Sequence, residues 1–104
     1  MLKPMEELYD RVDEELSDAK HYAWKALSYK AAMPELAKTF SSLSAEELRH
    51  AMTLNAEIEK LVKSAPTSAD ANAMAMREIE AFMKKKMNER MVEINSTLAQ
   101  YKGG

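Results

Sequence analysis

The chain has 104 residues, 46% hydrophobic and 31% charged, with a formal net charge of −2 and no cysteine. These figures fit one packed domain and exclude a disulfide framework or a thiolate metal site. Acidic and basic residues are interspersed, so there is neither a basic block for nucleic acid or an anionic membrane nor an apolar run of about 18 residues to span a bilayer.

The two glycines are Gly103 and Gly104, at the C-terminal end. Phosphate-cradling loops, dinucleotide fingerprints and nucleophile elbows all need internal glycine for their backbone geometry and are therefore excluded. Any chemistry must come from side chains carried on helices. The opening "MLKPMEELYD" lacks the apolar run of a signal peptide, so a soluble, cytoplasmic protein is expected.

Pro4, Pro34 and Pro66 punctuate the chain. Proline is accommodated at or before a first helical turn but not inside a helix, so each is read as opening one. The expectation is an all-α domain over residues 1–104, with helices at about 4–31, 34–63 and 68–101. The first helix carries Leu8, Val12, Glu15, Ala19, Tyr22, Ala26, Tyr29 and Met33 along one face at steps of three and four. A short link, "KAAMP", makes the first two helices an antiparallel hairpin.

Along the second helix the same spacing runs Leu36, Phe40, Leu43, Glu47, His50, Leu54, Ile58 and Leu61. Ser44 and Glu47 fit a capping box that would start a new helix near residue 45. The stripe passes this point without a phase change, so one continuous helix is expected. The link "SAPTSAD" supplies Thr67 or Ser68 as an N-cap and Asp70 near the positive end of the third helix. That helix shows Met76, Ile79, Met83, Met87, Met91, Ile94, Leu98 and Tyr101, apolar throughout. Three rods of about 45 Å, at about 1.5 Å per residue, leave apolar surface over, which points to self-association.

Two stripes thus contain ionisable groups: Glu15 on the first helix, Glu47 and His50 on the second. A buried carboxylate must be protonated, paired with a cation or bound to a metal. No lysine or arginine lies in either stripe to pair with Glu15 or Glu47. Glu47 and His50 are three apart and project from one side of a helix. Carboxylate plus imidazole suits iron, manganese or zinc. Glu-x-x-His recurs often by chance, and the added weight comes from the inward Glu on a helix joined to it by a hairpin. Carboxylate-bridged di-iron bundles take one Glu from each of two helices and Glu-x-x-His from each of two others. This chain offers half of that set. Two copies would supply four carboxylates and two neutral imidazoles, formally −4, against +4 for two ferrous ions.

The segments "EELSDAKHYAW" and "FSSLSAEELRHAM" resemble the first two helices of the ferritin-like superfamily. Glu15 and Tyr22 have the Glu-x6-Tyr spacing of its first helix, and the 32-residue interval from Glu15 to Glu47 is similar. The resemblance spans about residues 8–62 and is nearest to the encapsulated-ferritin-like branch. It implies a four-helix bundle completed by dimerisation, in a homodimer or higher even-numbered oligomer. It also implies a ferroxidase that oxidises Fe(II) at a di-iron site between subunits, for storage or detoxification of iron. By the same resemblance Glu15, Glu47 and His50 are the metal ligands, and Tyr22 is a hydrogen-bonding residue beside them. Glu14 matches one of the branch's outer acidic pair, whereas Ser17 stands at the second position and His21 where a tryptophan is usual. An encapsulin shell is the partner that branch implies, but "AQYKGG" does not resemble a docking tail.

Other features have simpler readings. Met83, Met87 and Met91 fit adaptable packing better than a copper ladder. Glu14, Asp18 and His21 form either an outer cation site or a solvated acidic face. Trp24, Tyr29 and Tyr101 read as packing or dimer anchors. The rival to the enzyme is a non-catalytic helical assembly protein with a degenerate ferritin-like fold and an empty site. A site completed within one chain by Glu78, Glu80, Glu89 or Glu93 ranks lower, because none is central on its helix's apolar face.

Overall fold

A computed structural model describes residues 2–65 and 71–103. Three helices follow one another: α1, Leu2–Tyr29; α2, Pro34–Ser64; and α3, Ala71–Tyr101. The described residues contain no strand, and none of their helices is long and apolar enough to cross a membrane. The chain forms an elongated body of 57 × 20 × 14 Å.

The turn between α1 and α2 is closed by the Met33 amide donating to the Tyr29 carbonyl at 2.8 Å. Pro34 then occupies the first turn of α2, where a missing N–H costs nothing. α2 runs unbroken through residue 45, as expected. Ser44 is fully buried, and its hydroxyl donates to the Ala19 carbonyl of α1 at 2.7 Å. It ties two helices together and caps neither. The expected N-cap of α3, Thr67 or Ser68, and Asp70 lie outside the described residues. At the other end Gly103 takes a φ of 89°, a left-handed conformation that glycine adopts without strain. Its amide donates to the Gln100 carbonyl at 3.1 Å, ending α3 in a C-terminal turn.

The core follows a seven-residue rhythm. On α1 the buried apolar positions are Met5, Tyr9, Val12, Leu16, Ala19, Ala23 and Ala26, alternating steps of four and three. On α2, Ala37, Ser44, Ala51 and Ile58 recur every seven residues, all at 0% exposure, with Leu48 and Asn55 between them. A mean step of 3.5 keeps one seam facing a partner helix with a slight left-handed supercoil. Small side chains along it let the two helices approach closely.

This seam differs from the expected stripes. Of the expected stripe positions, Val12, Glu15, Ala19 and Ala26 are buried on α1, but Ile58 alone on α2. Leu36, Leu43, Glu47 and Leu54 are half-buried flank residues, each one position before a buried residue, and Phe40 is half-buried as well. His50 is exposed rather than core-facing. Large apolar side chains draw a hydrophobicity pattern toward themselves, whereas close helix contact selects alanine and serine. On α3, Met76, Met87, Ile94 and Leu98 are buried as expected, together with Ala73; Met83 and Met91 pack partly against the core. Ile79 is exposed.

α3 runs parallel to α1. Arg90 reaches Asp13 and Ser17, Lys20 meets Glu93 at 3.3 Å, and the Lys30 ammonium lies 5.8 Å from the Tyr101 ring centroid. It therefore covers the α1 flank that carries Asp13 and Ser17. Glu15, about 200° further round the helix from Asp13 at 100° per residue, faces the opposite flank. Tyr9, buried among all three helices, has a hydroxyl with no hydrogen-bond partner. Burial, reinforced by Glu80 and Glu59, pushes that phenol up to about 12.

Candidate metal centre

Glu15 lies four residues before Ala19 on α1, and Glu47 and His50 lie three and six residues after Ser44 on the antiparallel α2, so the Ala19–Ser44 contact brings them to matching height. One ligand atom from each lies within 4.8 Å of the other two. The His50 Nδ1 is 3.5 Å from Glu15 Oε2 and 3.6 Å from Glu47 Oε1. Side-chain exposure is graded: 9% for Glu15, 17% for Glu47 and 59% for His50. Two carboxylates therefore form the floor of the site and one imidazole its outer edge.

The two oxygens of Glu15 differ. Oε1 accepts a hydrogen bond from Arg11 Nη2 at 2.9 Å. Oε2 is buried and has no hydrogen-bond partner. A buried charged oxygen is costly to leave unmatched, and this one faces the nitrogen and oxygen donors of His50 and Glu47. Three hard or borderline ligand atoms, the unmatched Glu15 oxygen among them, suit a divalent cation. The residues present fit a metal ion, without specifying which.

Arg11 corrects the expectation that no cation pairs with Glu15. It lies outside the stripe, one turn before Glu15, and its long side chain reaches round the helix to it. The i, i+4 spacing of oppositely charged residues was the available signal. Its other nitrogen, Nη1, donates to Glu14 Oε2 at 2.9 Å.

Among the described residues Glu15, Glu47 and His50 form the group whose ligand atoms come this close; Glu14, Asp18 and His21 form no such group. Glu14 is engaged by Arg11, and Asp18 and His21 are exposed. Tyr22 is half-buried, with its ring stacked on Phe40 at a centroid distance of 6.0 Å. It makes no hydrogen bond to the three ligand residues. The acids of α3 are not drawn in either: Glu93 pairs with Lys20.

The site lies on a groove that follows the α1–α2 seam on the side away from α3. Arg11, Glu15, His50, Thr53 and Leu54 line its upper part. It continues past Arg11 to Pro4, Leu8, Glu57 and Leu61. A separate hollow on α3, edged by Lys84, Lys85, Glu89 and Val92, has one carboxylate and no comparable donor set. Comparison of the chain with protein-family models, with curated proteins and with solved structures finds no match.

Proposed function

We propose that this chain is a ferritin-like ferroxidase that oxidises Fe(II) at a centre shared between two copies. The observation that carries the reading is the buried, unmatched Oε2 of Glu15, held beside His50 Nδ1 and Glu47 within 4.8 Å. Three ligands per chain are too few for a di-iron site, and two copies supply six. The groove beside the ligands supports the same arrangement, because half-buried Leu8, Leu54 and Leu61 would meet a second hairpin there. That contact would complete a four-helix bundle and cover His50.

Iron is the substrate in this reaction. Two Fe(II) ions become two Fe(III), and the two electrons pass to dioxygen or peroxide. Glu15 and Glu47 bring anionic oxygens, which favour the ferric over the ferrous state and so lower the reduction potential. His50 presents Nδ1 toward Glu15 and Glu47, and this nitrogen can bind a metal only through its lone pair, in the ring form that carries its proton on Nε2.

The test combines metal content, solution mass and rate. Purified protein loaded anaerobically with ferrous salt is expected to hold one iron per chain in an even-numbered oligomer. On exposure to oxygen, near-ultraviolet absorbance should rise rapidly in the wild type and not in Glu47→Ala. Wild-type oxidation rates in the variant would refute the assignment. The rival, a non-catalytic helical assembly protein, draws support from the Arg11 pair, which satisfies half of Glu15 without metal. Metal-free oligomers would favour it.

A further inference from the structure

Arg11 holds two carboxylates at once. Nη2 lies 2.9 Å from Glu15 Oε1, and Nη1 lies 2.9 Å from Glu14 Oε2. The two partners differ in environment: the Glu14 side chain is 61% exposed and that of Glu15 is 9% exposed. Glu14 stands outside the ligand group, whereas Glu15 belongs to it. A guanidinium on Oε1 of a ligand carboxylate opposes a divalent cation arriving at Oε2 by like charge, and it denies Oε1 to a bidentate contact.

Charge counting separates the two roles. Glu14, Glu15, Glu47 and Arg11 sum to −2 per chain with His50 neutral. One divalent cation brings the sum to zero. If the cation is held by Glu15 and Glu47, the remaining charges, Arg11 and Glu14, also cancel as a pair. Glu14 already holds the second arm of Arg11, so the exchange needs only a side-chain movement at a largely exposed position.

We propose that Arg11 is a charge gate on the site: it sits on Glu15 when no metal is bound and is released to Glu14 when a divalent cation arrives. The inference rests on the metal-binding part of the proposed function and assigns its regulation. Arg11 here is a positioning residue acting through Glu15, and Glu14 is the parking place that makes the exchange possible. The gate weakens the empty site's hold on metal and provides a cation that can re-cover Glu15 on release. A centre that binds, converts and passes on its ion needs such reversibility.

Calorimetric titration with Mn(II), which does not oxidise during the measurement, tests the gate on full-length protein. Arg11→Gln is expected to bind about tenfold more tightly than wild type, equivalent to about 1.4 kcal/mol. Arg11→Lys, which keeps the charge, is expected to fall back toward wild type. Glu14→Gln removes the parking place and should bind several-fold more weakly, even though Glu14 is no ligand. Glu47→Gln should lose binding. If the wild type binds Mn(II) and Glu47→Gln does not, but Arg11→Gln binds no more tightly than wild type, the gate is refuted and the site stands. If wild type and Arg11→Gln both bind no Mn(II), the metal site is refuted and the gate with it. Should Arg11→Gln fail to fold by circular dichroism, the weakening in Glu14→Gln decides the question, and unchanged affinity there refutes the gate.

Discussion

Glu15→Gln should make the metal-free protein more stable and the metal-loaded protein less so. The substitution keeps the side chain's shape and its oxygen for Arg11. It replaces the unmatched Oε2 with an amide that can donate toward His50 Nδ1, now 3.5 Å from Oε2. An unmatched buried polar atom costs about 1–3 kcal/mol. Against that stands the weakened ion pair with Arg11, whose side chain is 58% exposed and whose worth is therefore about 0.2–1 kcal/mol. The balance favours the variant by about 1 kcal/mol, or about 4 °C in Tm for a chain of this size. Thermal unfolding followed by circular dichroism, in chelator and at matched protein concentration, measures it. With Mn(II) at a hundred times its dissociation constant, the wild type should gain about 2.7 kcal/mol and the variant little, so the order reverses. A variant that is less stable than wild type by 1 kcal/mol or more in chelator would refute the reasoning. Glu15 would then be an ordinary structural ion pair.

Two further outcomes follow from the core. Tyr9 is a neutral acid whose phenol is pushed up to about 12 in the folded chain, so folding favours its protonated form. The associated stability is intact below the ordinary tyrosine range near pH 10 and is lost as pH rises to 12, by about 3 kcal/mol over the two units. Alkaline unfolding of Tyr9→Phe beside wild type isolates this loss, which the variant should lack; equal losses would contradict it. Ala51→Leu places a large side chain at a fully buried seam position and should cost about 1–3 kcal/mol in urea titration. A neutral effect there would show that the helices are not in close contact.

The break between the first two helices was legible because proline is such a strict marker: Pro34 opens α2, and α1 ends a few residues before it, whereas α1 begins at Leu2, ahead of Pro4, and Pro66 lies outside the described residues. The continuity of α2 was also legible, since the apolar spacing passes Ser44 without a shift. Which residues form the seam was not. Leu36, Leu43 and Leu54 outweigh Ala37, Ser44 and Ala51 on any hydrophobicity scale, yet the smaller set is the one at 0% exposure. Close packing rewards shape over greasiness, and a pattern of hydrophobicity does not register that. The same one-position offset moved His50 from the core to an exposed edge. Even so, the three candidate ligands were found, because flank positions on facing helices meet as readily as seam positions do. Arg11 was overlooked for a different reason: a stripe contains only what points inward from its own backbone, and a long cation reaches in from outside.

The run of alanines and a serine between α1 and α2 acts as a fixed gauge. Side chains this small at 0% exposure leave the two rods little room to draw together, and the bond from Ser44 to Ala19 resists sliding. Whatever ion size the cradle accepts must therefore be tuned by swapping individual acids or bases at its rim, leaving the scaffold untouched.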